Sequence, residues 1–257
     1  MNAKRFLLCL LLVLSGIVGA EPTVLRFAYE DKELFPFFAG DSAEVPAKPG
    51  VTVEMVQRLT SRIPALKVEL QRMPWKRCLL KLEKGEVDAV VASFTPDRLA
   101  YGLYPMKDGQ TNPAMRIGST SYALYKRKDA ALEWDGKSLK GLVLAMGAPS
   151  GYSIVEELRA MGLTVEESGS TGADLQKLQM GRLGAVAAVE TVADFYLTQS
   201  RFGEITKMEP AFAPKHYYLL LSHQFFSQSP ALADKVWQAI GGIRERESSA
   251  ILGKYLK

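Results

Sequence analysis

The chain has 257 residues, 47% of them hydrophobic, with 32 basic and 28 acidic side chains interspersed along it. That length exceeds the common single-domain size of about 100–150 residues and allows two lobes with separate cores. A formal charge of +4 with only short basic clusters such as Lys126-Arg127-Lys128 excludes the footprint of a nucleic-acid binder. His216 and His223 are the only histidines, and no cysteine or carboxylate cluster stands at ligand spacing, so neither a transition-metal site nor a cofactor is expected.

Lys4 and Arg5 precede an apolar run from Phe6 to Leu14 that continues through Ile17 and Val18 to Gly19-Ala20. This is the pattern of a secretory signal peptide, and Val18-Gly19-Ala20 places cleavage before Glu21. The run is short for the roughly 20 residues of a membrane span. A soluble exported protein is therefore expected, carrying 30 basic and 28 acidic groups once Lys4 and Arg5 are removed. Cys9 leaves with the signal, so Cys78 remains alone and the fold must rest on its core, without disulfides.

Val24 to Ala28 reads as a buried strand, followed by the aromatic loop Phe35-Pro36-Phe37-Phe38 and a Pro-containing surface loop from Ser42 to Gly50. Val53, Val56, Leu59 and Ile63 recur at helical spacing, and Val68 and Leu70 alternate as in a strand. A second helix runs from Trp75 to Lys84, apolar at Trp75, Cys78, Leu79 and Leu82, and stops at Gly85. Val87 to Ala92 is an apolar strand interrupted only by Asp88. The later half repeats the order, with strands at Leu142–Met146, Leu163–Val165 and Ala185–Val189 and helices at Tyr152–Met161 and Ala173–Met180. Residues 82–90 align with 178–186 at an offset of 96, sharing Leu, Gly, Ala and Val.

These β-α-β-α-β units predict two α/β lobes with parallel sheets. The strands at Tyr122–Tyr125 and Tyr217–Leu221 are the candidate hinges. Lobe one is then expected at 21–125 and 217–257, with lobe two inserted at 126–216.

Ligands of open parallel sheets bind beyond the carboxyl ends of the strands. Ser93 to Arg98 and Glu190-Thr191 follow the two aligned strands, so they should face one gap from opposite sides. Arg98 suits a carboxylate through two parallel hydrogen bonds, and Glu190 suits an ammonium; together they fit an α-amino acid. A surface salt bridge is the alternative for Arg98, and a helix first-turn charge for Glu190. Trp75 opens a helix directly after a strand, where an indole could cover a ligand or join the core. The loop from Gly147 to Ser153, with Ser150 and Gly151, starts a helix whose N–H groups could hold an anion. Glu30 and Asp31 follow the first strand and are pocket-lining acids; a catalyst would have to draw its acid or base from them. Nucleotide-binding and hydrolase signatures are absent from the sequence.

Across the whole mature chain the sequence resembles the family 3 extracellular solute-binding proteins. The resemblance is carried by Leu25 to Phe38, by Met73-Pro74-Trp75 through Gly85-Glu86-Val87-Asp88, and by Thr95-Pro96-Asp97-Arg98. It implies a periplasmic binding protein-like II fold, two Rossmann-like α/β lobes joined by two hinge strands. It further implies that Arg98 grips a ligand α-carboxylate with help from Ser93, that Glu190 takes the α-ammonium, that Trp75 and Leu34-Phe35 line the pocket, and that Gly151 contacts the carboxylate. The implied protein is a periplasmic monomer without enzymatic activity, delivering a small amino-acid-like ligand to an ABC permease in the inner membrane. A dehydratase of the cyclohexadienyl type and a ligand sensor are the alternatives on the same fold. The sequence departs from the family in Ser93-Phe94-Thr95, where Thr-Ile-Thr is usual, and in the shortened Gly102-Leu103-Tyr104-Pro105.

Overall fold

The computed structural model describes residues 21–256, so the expected signal peptide lies outside the described residues. In chain order the principal strands are β1 (Thr23–Glu30), β2 (Leu66–Met73), β3 (Ala89–Ser93), β4 (Gly118–Thr120), β5 (Tyr122–Arg127), β6 (Met146–Pro149), β7 (Val165–Ser168), β8 (Ala185–Val189), β9 (Ile205–Met208) and β10 (Lys215–Leu221). They assemble into two five-stranded sheets, ordered β2-β1-β3-β10-β4 and β7-β6-β8-β5-β9. In each sheet three parallel strands are followed by an antiparallel one, β10 beside β3 and β5 beside β8.

The internal repeat thus appears as a repeated topology. Gly85 and Gly181, paired by the offset of 96, have φ of 69° and 70°. Each lies just beyond the end of a helix, in the left-handed region that glycine enters without a Cβ clash. Asp88, the one charge expected inside the third strand, lies just before β3. Its carboxylate accepts from Arg26 Nε at 2.8 Å and from the Arg26 backbone N–H at 2.8 Å. It ties β1 to β3 at the end of the sheet away from their carboxyl termini.

The helices that cover these sheets are α1 (Val51–Gln57), α2 (Trp75–Glu83), α3 (Ser153–Ala160), α4 (Thr171–Gln179), α5 (Glu190–Leu197), α6 (His223–Gln228) and α7 (Pro230–Leu252). The buried face of α2 is Trp75, Cys78, Leu79 and Leu82. Burial pushes the Cys78 thiol up, so it packs as an apolar group. Helix α7 returns to lobe one, where Trp237 Nε1 donates to the Leu219 carbonyl at 2.7 Å. Just beyond its end, Tyr255 donates to Glu54 at 2.7 Å. Among the described residues no helix is long and apolar enough to cross a membrane.

Three boundaries differ from the sequence reading. Tyr122 to Tyr125 are all buried in β5, between β8 and β9, so the chain changes sheet at Ser121, ahead of the expected start of lobe two at residue 126. The backbone of β5 pairs on both edges there, with β8 on one side and β9 on the other. The strand expected at Leu142–Met146 forms at Met146–Pro149, and the one expected at Leu163–Val165 forms at Val165–Ser168. Val143 and Leu144 are instead exposed. The strand forms where side chains are small, since a Cβ on Gly147 would stand 2.4 Å from Leu183 Cδ1.

Candidate functional site between the lobes

The carboxyl ends of β1, β3, β6 and β8 converge on a cavity of about 380 Å³, as expected for parallel sheets meeting across a cleft. From lobe one come Glu30 at the end of β1, Ser93 at the end of β3, Trp75 at the start of α2 and Arg98. Arg98 sits on a single 3-10 turn, Pro96–Ala100, whose proline presets the first φ. Although charged, Arg98 is only 7% exposed. Its Nη1 donates to the carbonyl and hydroxyl of Ser93, both at 2.9 Å, and its Nη2 to the Gly151 carbonyl of lobe two at 3.1 Å. The guanidinium lies 5.6 Å from the Trp75 ring centre, within reach of a cation–π attraction.

Lobe two meets this surface with the loop after β6. Gly151 has φ +75°, and its carbonyl accepts a second hydrogen bond, from Trp75 Nε1 at 3.1 Å. The next residue, Tyr152, donates to Glu30 Oε2 at 2.6 Å. Burial pushes the Glu30 carboxyl up to about 7, opposed by this hydrogen bond. Ser153 Oγ stands 3.1 Å from Ser93 Oγ and accepts from Lys215 Nζ at 3.0 Å. The structure therefore joins the lobes through a continuous polar seam.

Of the residues expected from the sequence, Glu30, Trp75, Ser93 and Arg98 line the cavity, and Gly151 adjoins it through its carbonyl. Ser150 points its hydroxyl to Glu167 at 2.7 Å, and Glu167 also accepts from the Gly151 N–H at 3.1 Å. Ser150, Arg159, Lys76 and this N–H hold the Glu167 carboxyl down at about 2. The loop N–H expected to face an anion already serves Glu167. Phe35 packs against Phe195 of α5 with the rings tilted by 31° and their centres 4.3 Å apart, and lies outside the cavity lining. Glu190 requires correction. It lies outside the lining and ion-pairs with Lys207 of β9 at 2.9 Å, beside a second Lys207 contact to Asp194 at 3.0 Å. Its charge is balanced within lobe two. The buried acid of the cavity is Glu30.

Residues missed from the sequence include Tyr122, Tyr152 and Tyr217, all on the cavity wall. Tyr122 opens β5 and Tyr217 is the third residue of β10, the strands beside the two crossings, and their hydroxyls approach to 3.4 Å. A tyrosine near the start of each crossing strand is the available signal. Among the described residues no group of three or more metal-ligating side chains comes together.

No protein-family model matches this chain, and no curated protein matches its sequence. Solved structures match it over nearly its whole length. A histidine kinase sensor domain with similarity to periplasmic binding proteins has a TM-score of 0.72, covering 92% of this chain and 97% of its own at 14% identity. The chain has the periplasmic-binding-protein fold. An ancestral arginine-binding protein bound to arginine is similar at TM-score 0.71 and 17% identity, covering 91% of this chain and 98% of its own. The GluR0 ligand-binding core from Nostoc punctiforme, in complex with L-glutamate, is similar at 0.69 and 13% identity, covering 91% and 99%. The chain passes between the two sheets at two crossings, near Ser121 and between Met208 and Lys215.

Proposed function

We propose that this is an exported, periplasmic solute-binding protein that captures a small amino-acid-like molecule between its lobes for an ABC importer. The observation that carries the reading is one cavity walled from both lobes, with the buried Arg98 fork and the buried Glu30 carboxyl on it. Arg98 would hold the ligand carboxylate, with Ser93 fixing the guanidinium, and the Gly151 carbonyl yielding one donor as the ligand enters. Glu30 would accept from the ammonium, a cation that favours its ionised form. Trp75 and the three tyrosines would enclose the remainder of the ligand. The arginine and glutamate bound in the similar structures support this ligand class. Binding without chemistry and action as a monomer complete the reading.

A thermal-shift screen of amino acids, opines, polyamines and small organic acids tests it. At a hundred times its dissociation constant, a true ligand stabilises the folded protein by about 2.7 kcal/mol. At least one zwitterionic amino acid or opine should raise the melting temperature. A screen in which none does, with the protein folded by circular dichroism, rejects the reading.

A further inference from the structure

The cavity does not end at the cleft. Beyond Ser93 and Tyr217 it continues into lobe one, between the sheet and helices α1 and α7, past Val91, Ile117, Met55 and Leu252. Val91 shows the effect within the sheet itself. It lies in β3, the central strand, yet it is partly exposed while its neighbours Val90 and Ala92 are buried. Protein interiors seldom leave space larger than a water molecule between a sheet and its covering helices, so this chamber is built to hold something. Cleft and chamber together have a volume of about 380 Å³, within the range of about 300–1,000 Å³ found for drug-sized ligands.

The far end is chemically distinct. Arg116, just before β4, and Arg244 on α7 both line it, with the hydroxyl-bearing Ser248. Arg116 Nη1 and Arg244 Nη1 share the Pro113 carbonyl as acceptor, and one acid, Glu245, accepts from Arg244 Nη2 at 2.7 Å. Two guanidinium groups against one carboxylate leave a net positive end. His216, hydrogen-bonded to the lining residue Ser119 at 2.8 Å, stands beside them. The chamber therefore reads, from cleft to far end, as polar head, apolar middle and cationic terminus.

We infer that the ligand is longer than a common amino acid: an amino-acid head in the cleft carries an unbranched aliphatic arm through lobe one to an anionic terminus at Arg116 and Arg244. The head assignment rests on the function proposed above; the arm and terminus rest on the chamber alone.

Calorimetric titration with four probes separates the two. L-2-aminosuberate has head, arm and terminal carboxylate; L-norleucine lacks the terminus, L-glutamate lacks the length, and suberate lacks the ammonium. L-2-aminosuberate should bind at least tenfold tighter than glutamate or norleucine, and Arg116→Ala and Arg244→Ala should each reduce that preference. Suberate binding that depends on Arg116 and Arg244, with no binding of the three amino acids, would support the chamber and reject the amino-acid head. Glutamate or norleucine binding as tightly as 2-aminosuberate would overturn the chamber inference and leave the head assignment standing. A preference that persists in both arginine variants would overturn the assigned terminus, and no binding of any probe would overturn the inference entirely.

Discussion

Arg98→Ala should weaken binding of the amino acid that gives the largest thermal shift by about 2–5 kcal/mol, the usual cost of truncating one member of a buried charge pair. That is roughly thirtyfold or more in dissociation constant. The size follows from burial: Arg98 is held by Ser93 on one side and lies 5.6 Å from the Trp75 ring centre, so its guanidinium is oriented before a carboxylate replaces the Gly151 carbonyl on Nη2. Arg98→Lys keeps the charge but loses the planar fork, and should recover only part of the loss. Each lobe keeps its own sheet and helices in the alanine variant, so circular dichroism should be unchanged. Calorimetry on the three proteins decides the matter. Wild-type affinity in a folded Arg98→Ala protein would remove Arg98 from the site and leave it as a bridge between Ser93 and Gly151.

Asp174→Asn should make lobe two more stable at pH 8 and leave it nearly unchanged near pH 4. Asp174 lies on the inner face of α4, fully buried, and neither carboxylate oxygen has a hydrogen-bond partner among the described residues. The nearby Ser168 hydroxyl donates instead to the Ser170 carbonyl at 3.0 Å. Burial therefore pushes the Asp174 carboxyl up to about 7, against an ordinary value of 3.8. A raised acid pKa means that the folded state holds the proton more tightly than the unfolded chain. Its contribution to stability is complete below about pH 4 and is lost as the pH rises through about 7. At about 1.4 kcal/mol per pH unit, ionising this one group costs about 4 kcal/mol by pH 8. Asparagine has the same shape and cannot ionise. Urea unfolding of both proteins at pH 4 and pH 8 isolates the effect, because Glu30, whose carboxyl is raised in the same direction, is common to both. Parallel pH profiles would mean that Asp174 is solvated after all.

Much of this fold is legible in the sequence because it is local. The helix, glycine and strand of residues 82–90 and 178–186 each lie within one short window, and the structure realises both with nearly the same glycine φ. The cleft residues that could be read, Glu30, Trp75, Ser93 and Arg98, all lie at or shortly beyond the carboxyl ends of strands, so topology places them. Glu190 also comes directly after a strand, yet it lies off the cavity lining for a non-local reason. Its partner Lys207 is carried by β9, a short strand with weak sequence signals that register brings alongside β5. Phe35 was drawn away in the same manner, by Phe195 on the other lobe. The chamber behind Val91 depends on how α7 seats against α1 and the turn at Pro113–Met115, which no periodicity within α7 encodes. The strand at Met146–Pro149 was misplaced because burial there favours Gly147 and Ala148 over the more hydrophobic Leu142 to Leu144.

The insertion of lobe two within lobe one also bears on the order of assembly. Lobe two is continuous, and its central ladder joins Val186 to Tyr125, whereas the ladder that completes lobe one joins Tyr217 to Ser93 across all of lobe two. Closing the longer loop from an unfolded chain carries the larger entropy loss, about 0.6 kcal/mol for each doubling of length. Once lobe two has formed, the situation changes. Met208 sits opposite Leu124, and the Phe212 N–H donates to the Tyr122 carbonyl at 2.8 Å, so the inserted body delivers both of its ends to one place. The segments leading to β4 and β10, which pair with each other, then emerge side by side. If lobe two forms first, the ends that lobe one must join are already together, and pulse-labelled hydrogen exchange during refolding should protect Ala185–Val189 before Ala89–Ser93.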